Sequence, residues 1–393
     1  MGKTTRDVCV IGVGMTEFRH RADSIVKIGV DAIQDALNDI PKLKLSDIQA
    51  VCCGSMGGGP MLGQRIMART KDMIGQEGLT GVPITNWENM CTSGTCAFTA
   101  AYHDIAAGIH DIVMEVGVEK LGKGGLDFDA SGKLTTTKGR GGGGGAPIAP
   151  MMFGLQARAH TQRFGTKREH LAMVSVKSRE YARTNPNAQY RQQLTMDDVL
   201  NAKMTFDPLT MYMCCPTSTG GSCVILCAAD IAKEFQDKPV KIDACVLKTS
   251  RGTPQLESGW DPNIRASREA YKIAGVGPED IDVAQVHDCF AIAELMHYES
   301  MGFCELGKGG KFIEDGHPCK GGDKPINTDG GLISKGHPMG ATGGAQIYEL
   351  VHQLRGDAHN QVMPIPEVAL QHNMGGGVGI GMAYCVNIFE RGW

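Results

Sequence analysis

With 393 residues, 42% of them hydrophobic, the chain is long enough to bury a large core and to hold two or three domains. Its net charge of −4, without any block of lysine or arginine, excludes nucleic acids and acidic membrane surfaces as natural partners. No apolar run can span a bilayer and no signal core precedes the first apolar segment, so a cytoplasmic location with its 14 cysteines reduced is expected.

The first strand signal is Val8-Cys9-Val10-Ile11, and Ser46 to Val51 leads into a second. From Asn86 to Ala97 a polar turn carrying Cys91 runs into small and apolar residues at helical spacing, which predicts a helix N-terminus at Cys91. Unpaired N–H groups and the helix dipole there favour thiolate over thiol and can hold an anion. The competing reading is that Cys91 is one more small core residue. A strand follows at Ile112 to Gly117.

Between Leu121 and Cys215 the composition shifts to Gly, Lys, Thr, Met and Gln around the run Gly139 to Gly145. A glycine run cannot anchor a core, so this segment is expected to cover a cleft, with helices over Met152 to Phe164 and Lys167 to Asn185; a solvent loop without contacts is the alternative for the run itself. Met151-Met152-Phe153 and Met211-Tyr212-Met213 could line a roomy apolar pocket or be ordinary core. Cys52-Cys53 and Cys214-Cys215 are adjacent pairs with poor ligand spacing, and Cys223 and Cys227 lack a second knuckle, so no metal is expected in this chain.

Pro278 to Val286 ends in a strand at His287, and His287-Asp288-Cys289-Phe290 turns that strand into a helix-forming stretch; a structural His–Asp pair is the competing reading. Gly336-His337-Pro338 opens another helix, where an imidazole can take a proton from a nearby cysteine and polarise a carbonyl. Strands at Val368 to Gln371 and Gly381 to Ile388 flank Gly375-Gly376-Gly377, whose N–H groups could form an oxyanion hole or simply a tight hairpin. Both halves thus show the same order of features, which predicts a duplicated strand–helix fold with Cys91 and His337 in equivalent places facing one cleft. The expected division is 1–120, completed by about 216–235, as the first half, 121–215 as the covering segment and 236–393 as the second half.

Four motifs in this order, Asn89-x-Cys91-x-Ser93-Gly94, His287-Asp288-Cys289-Phe290, Gly336-His337-Pro338 and the glycine turn at Gly375, resemble the thiolase superfamily, and within it the sterol-carrier-protein-type thiolases with their bacterial and archaeal relatives. Common thiolases carry Asn-Glu-Ala-Phe where this chain has His287 to Phe290, and a second cysteine where it has Asn373; in the subfamily it resembles, the cysteine of the first of these motifs, here Cys289, takes over. The resemblance implies an α-β-α-β-α sandwich of two duplicated halves with an inserted loop domain. It implies that Cys91 attacks a 3-oxoacyl-CoA and is acylated, that His337 takes its proton, and that His287 and His337 hold the enolate oxygen. It further implies that Cys289 is the acid–base and that the N–H groups of Cys91 and Gly375 meet the oxyanion. Coenzyme A is then co-substrate and a homodimer is expected. A benzoylsuccinyl-CoA thiolase subunit and archaeal acetoacetyl-CoA thiolases are relatives of this kind, and both tend to work with a small zinc-ribbon and OB-fold partner. Alternatives are acetoacetyl-CoA as the substrate, an irreversible ketoacyl synthase, against which Cys289 argues, and a non-catalytic acyl-CoA-binding scaffold.

Overall fold

The computed structural model describes residues 5–56, 66–121, 127–128, 134–135, 148–251, 260–376 and 383–393. The glycine run at 139–145 and Gly377 lie outside these residues.

In chain order the elements that frame the site begin with β1 (Val8–Met15), α1 (Ile25–Asp39), β2 (Ala50–Gly54), α2 (Ile66–Gln76), β3 (Ile84–Trp87), α3 (Ser93–Ala106) and β4 (Ile112–Lys120). They continue with α4 (Ile148–Phe164), α5 (Arg168–Ala182), β5 (Thr219–Ala228), β6 (Val240–Thr249), α6 (Asp261–Ala274), β7 (Val283–Gln285), α7 (Ala291–Ser300), α8 (Met339–Arg355), β8 (Val368–Met374) and β9 (Ala383–Arg391). All eight residues of β1 and all ten of β5 are buried. Strands covered on both faces need no polar alternation, which is why their sequences are near-continuous Val, Ile, Cys, Leu and Gly. Helix α1 shows the opposite pattern, an apolar stripe of Ile25, Ile28, Ala32, Ile33 and Ala36, with Ser24 Oγ accepting from Lys27 N–H at 3.1 Å to cap its start.

The strand order is β7-β8-β9-β6-β1-β5-β4-β2-β3. In the first half β1 pairs antiparallel with β5, β5 antiparallel with β4, β4 parallel with β2, and β2 parallel with β3. In the second half β6 pairs antiparallel with β9, β9 antiparallel with β8, β8 parallel with β7, and Ala284 of β7 forms a parallel bridge to Ile326. The two halves therefore repeat one topology, and they meet where β1 and β6 pair antiparallel at Cys9–Lys241 and Val10–Val240. Helices α3 and α8 take equivalent places in the repeat and pack against each other and against β4. A Cβ on Gly94 of α3 would collide with the carbonyl oxygen of Gly340 of α8, so only glycine permits this backbone-to-backbone approach.

Several details differ from the sequence expectations. Helix α4 begins at Ile148 rather than Met152, and α5 ends at Ala182 rather than Asn185. Strand β4 is flanked by β2 and β5, and the sheet ends on the first-half side at β3, where Thr85, Asn86 and Trp87 are exposed. No helix of the described residues is long and apolar enough to cross a membrane.

Candidate active site

Three corners converge. Cys91 lies two residues ahead of α3, on a turn in which Met90 has φ +53°. A non-glycine residue in the left-handed region costs on the order of 1–2 kcal/mol, so the surroundings must hold it. They do so through Ser93, whose Oγ accepts from Asn89 N–H at 3.0 Å and donates to Met90 O at 2.6 Å, and through Thr92 Oγ1, which donates to Asn89 O at 2.7 Å. The Asn-x-Cys-x-Ser spacing is thus the wiring of the turn that presents the sulfur.

His337 lies two residues ahead of α8, beyond Gly336 with φ +118°, and its N–H donates to Ser218 Oγ at 2.9 Å. Its Nδ1 is 2.7 Å from Thr342 Oγ1, and that hydroxyl donates to Pro338 O at 3.1 Å. A hydroxyl has one proton, so Nδ1 must be the donor in its bond with Thr342. Nε2 then carries the lone pair, and it has no hydrogen-bond partner among the described residues.

His287 follows β7, with its ring edge-on to His337 at a centroid separation of 5.1 Å. Its peptide is gripped from both sides: its N–H donates to His372 Nδ1 at 3.4 Å and its carbonyl accepts from the His297 side chain. His372 in turn donates from Nε2 to Asn263 Oδ1 at 2.8 Å, and the His297 and His372 rings lie 4.3 Å apart. Asp288 ties this corner to the segment before His337 by accepting from Leu332 N–H at 2.7 Å. Burial, then Glu294, push the Asp288 carboxyl up to about 8.

Cys91, His287 and His337 each bring one thiol or ring-nitrogen atom to within 4.8 Å of the others. Burial pushes the Cys91 thiol up to about 12, against the opposing pull of the Gly376 N–H and its own N–H. Burial holds His337 down to about 3, with Lys335 adding to the effect, and holds His287 well below the usual range, with His337 next in importance. Desolvation thus opposes the thiolate that a helix N-terminus favours and holds both imidazoles toward their neutral forms.

The glycine turn also differs from expectation. The Gly375 N–H is spent on Ala383 O at 2.8 Å, closing the hairpin, whereas the N–H that reaches the Cys91 sulfur belongs to Gly376. Asn373 donates from Nδ2 to Gln346 Oε1 at 3.0 Å, and its side chain hydrogen-bonds to His287. Cys289 is buried, and burial followed by the nearby Cys215 and Cys91 sulfurs holds its thiol well above the ordinary range. Cys215, which sequence reasoning set aside, stands opposite Cys289: Cys214 and Phe290 form an antiparallel bridge and the Cys215 N–H donates to Cys289 O at 2.9 Å. Its sequence signal was only that it precedes Pro216. Phe153 and Met213 are core, Phe153 stacking on Phe290 at 4.5 Å, while Met211 is exposed. Glu119 ties β4 to the start of α8, accepting from Met56 N–H at 2.8 Å and Gly340 N–H at 3.2 Å.

The model of the thiolase N-terminal domain matches residues 8–230, and that of the thiolase C-terminal domain matches residues 258–391. The chain belongs to the thiolase family. Members of this family are acyltransferases that use coenzyme A as a substrate. The chain is 38% identical to the acetyl-CoA acetyltransferase of Methanothermobacter thermautotrophicus over 98% of its length and 100% of that one. It is 36% identical to human sterol carrier protein 2 over 99% of this chain and 73% of that one. It is 32% identical to the benzoylsuccinyl-CoA thiolase subunit BbsB of Thauera aromatica over 95% and 96%. Among solved structures, a chain of the Ltp2-ChsH2(DUF35) aldolase superimposes with a TM-score of 0.80 at 22% identity, covering 100% of this thiolase and 99% of that chain; this likeness concerns the fold.

Proposed function

We propose that this thiolase cleaves a 3-oxoacyl-CoA with coenzyme A, or runs the reverse Claisen condensation, through an acyl-enzyme on Cys91. The observation that carries the reading is the convergence of the Cys91 sulfur with one ring nitrogen each of His287 and His337 within 4.8 Å. Because desolvation opposes a resting thiolate, the Cys91 proton passes to His337 Nε2 as sulfur attacks the 3-keto carbon. The C2–C3 bond then breaks, the departing enolate oxygen is met by His287 and His337, and Cys289 protonates its carbon. The incoming CoA thiol gives its proton to the Cys289 thiolate and attacks the thioester; the Cys91 sulfur leaves and recovers its proton from His337. The N–H groups of Gly376 and Cys91 receive the tetrahedral oxyanion, Gly376 replacing Gly375 because the latter's N–H is already bonded to Ala383.

The acyl group is proposed from the relatives alone. The likeness to the benzoylsuccinyl-CoA thiolase subunit supports a bulky, aromatic acyl group in this chain, and the likeness to the acetyl-CoA acetyltransferase supports acetoacetyl-CoA. A homodimer through the exposed β3 edge fits the chain, since an open strand edge invites pairing with a second copy. The name of the Ltp2-ChsH2(DUF35) aldolase supports a partner subunit, which the sequence resemblance implies to be a small zinc-ribbon and OB-fold protein. The test is CoA-dependent cleavage of acetoacetyl-CoA and of an aryl 3-oxoacyl-CoA, followed by loss of the thioester–enolate absorbance. Turnover of either one, lost in Cys91→Ala, supports the reading; binding of both without cleavage would leave an acyl-CoA-binding scaffold.

A further inference from the structure

The same three side chains are a ligand set. A thiol sulfur and two imidazole nitrogens, all within 4.8 Å of one another, match the borderline-soft donor set that Zn²⁺ takes in sites with three protein ligands and one open position. Two further observations point the same way. His287 Nδ1 and His337 Nε2 are buried nitrogens without a hydrogen-bond partner among the described residues. Behind His337, Thr342 fixes the tautomer that leaves Nε2 as a lone-pair donor, the outer support that ligating histidines ordinarily have.

We propose that Cys91, His287 and His337 bind one Zn²⁺-class cation, and that the bound ion and acylation of Cys91 exclude each other. As the S–Zn bond forms, the Cys91 thiol proton leaves to the buffer, and the metal keeps one position for water or an incoming thiol. A tetrahedral zinc with Zn–S of about 2.3 Å and Zn–N of about 2.0 Å requires the donors to close on one another by on the order of 1 Å. The N–H groups of Gly376 and Cys91 aimed at the sulfur stabilise it as a thiolate ligand, and the carboxylate of Glu119, whose field reaches Cys91, offsets the added positive charge. The ion is a reversible block on the nucleophile.

The proposal uses the same residues as the proposed reaction, so its test is kept free of substrate. Purified protein stripped with chelator is dialysed against Zn²⁺, and against Co²⁺ as a spectroscopic probe, with no acyl-CoA present. One equivalent per chain and a sulfur-to-cobalt charge-transfer band with tetrahedral visible bands are expected. Cys91→Ser should lose the charge-transfer band, and His287→Ala or His337→Ala should lose the stoichiometric equivalent, while Cys215→Ala and Cys289→Ala retain both. Wild-type protein carboxamidomethylated at Cys91, verified by mass spectrometry, gives the same answer without relying on a variant's folding. Absence of stoichiometric binding, or an unchanged charge-transfer band in Cys91→Ser and in the alkylated protein, would overturn the proposal. Acyl transfer measured in chelator-containing buffer is unaffected by that outcome, so the two readings stand or fall separately.

Discussion

Thr342 Oγ1 sits 2.7 Å from His337 Nδ1 and spends its own proton on Pro338 O. This one contact decides which nitrogen of His337 can accept a proton. Thr342→Val should remove it, leaving Nδ1–H buried without a partner and both tautomers accessible. Leaving one buried donor unsatisfied costs about 1–3 kcal/mol, which felt wholly in the acylation step corresponds to a drop in kcat of roughly five- to 150-fold. Thr342→Ser should restore most of it, and KM should move little; steady-state kinetics on the three proteins checks this.

Acylation is expected at Cys91 and nowhere else. Mass spectrometry after trapping with a 3-oxoacyl-CoA should place the acyl mass on the peptide containing Cys91, and Cys91→Ala should remove it. An acyl group found on Cys215 or Cys289 would move the nucleophile to the other side of the cleft.

Cys289→Ala should cut turnover in both directions by roughly a hundred- to ten-thousandfold, the usual cost of losing a general acid–base, while leaving Cys91 open to a small alkylator. Cys289→Ser should be nearly as poor, since a hydroxyl is far less acidic than a thiol. Cys215→Ala is the informative companion, because its sulfur neighbours both other thiols. It should retain most of the turnover. If the two variants exchanged behaviour, Cys215 would be the proton carrier.

Glu115 is buried in β4 near α3 and α8, and neither carboxylate oxygen has a hydrogen-bond partner among the described residues. Burial raises its pKa well above the usual value, so the folded state holds a proton that the unfolded chain releases. This group's favourable contribution is complete below the unfolded pKa of about 4.3 and is lost as pH rises through the folded value. Glu115→Gln removes the titration. The variant's Tm should gain on that of the parent as pH is raised from about 4 to 8, measured by calorimetry at matched ionic strength.

The duplicated topology and the corners carrying Cys91, His287 and His337 were legible because each depends on local signals: apolar runs, helix-opening turns and glycine or proline punctuation. What the residues alone could not give was set by long-range pairing. Gly376 rather than Gly375 faces Cys91 because the hairpin register commits Gly375 to Ala383. Cys215 joins the site through a bridge to a distant segment, and His297 and His372 support His287 from elements far away in the chain. The desolvation at Cys91 was hidden for a related reason: a helix start is visible in sequence, but how far the surrounding elements bury it is not.

Where α3 and α8 cross, Gly94 meets Gly340 main chain to main chain, and a methyl group inserted there has nowhere to go. Gly94→Ala should cost about 1–3 kcal/mol in denaturant unfolding, and it should also reduce the rate at which Cys91 is acylated, because both reactive corners open onto these two helices. The distance between the two corners is thus set first by the main chains of the two helices, and the side chains of Ser93, Thr92, Ser218 and Thr342 then aim the reactive groups. Such a hearth can stay fixed while the walls of the acyl chamber are rebuilt, so one reaction can serve acyl groups of very different size.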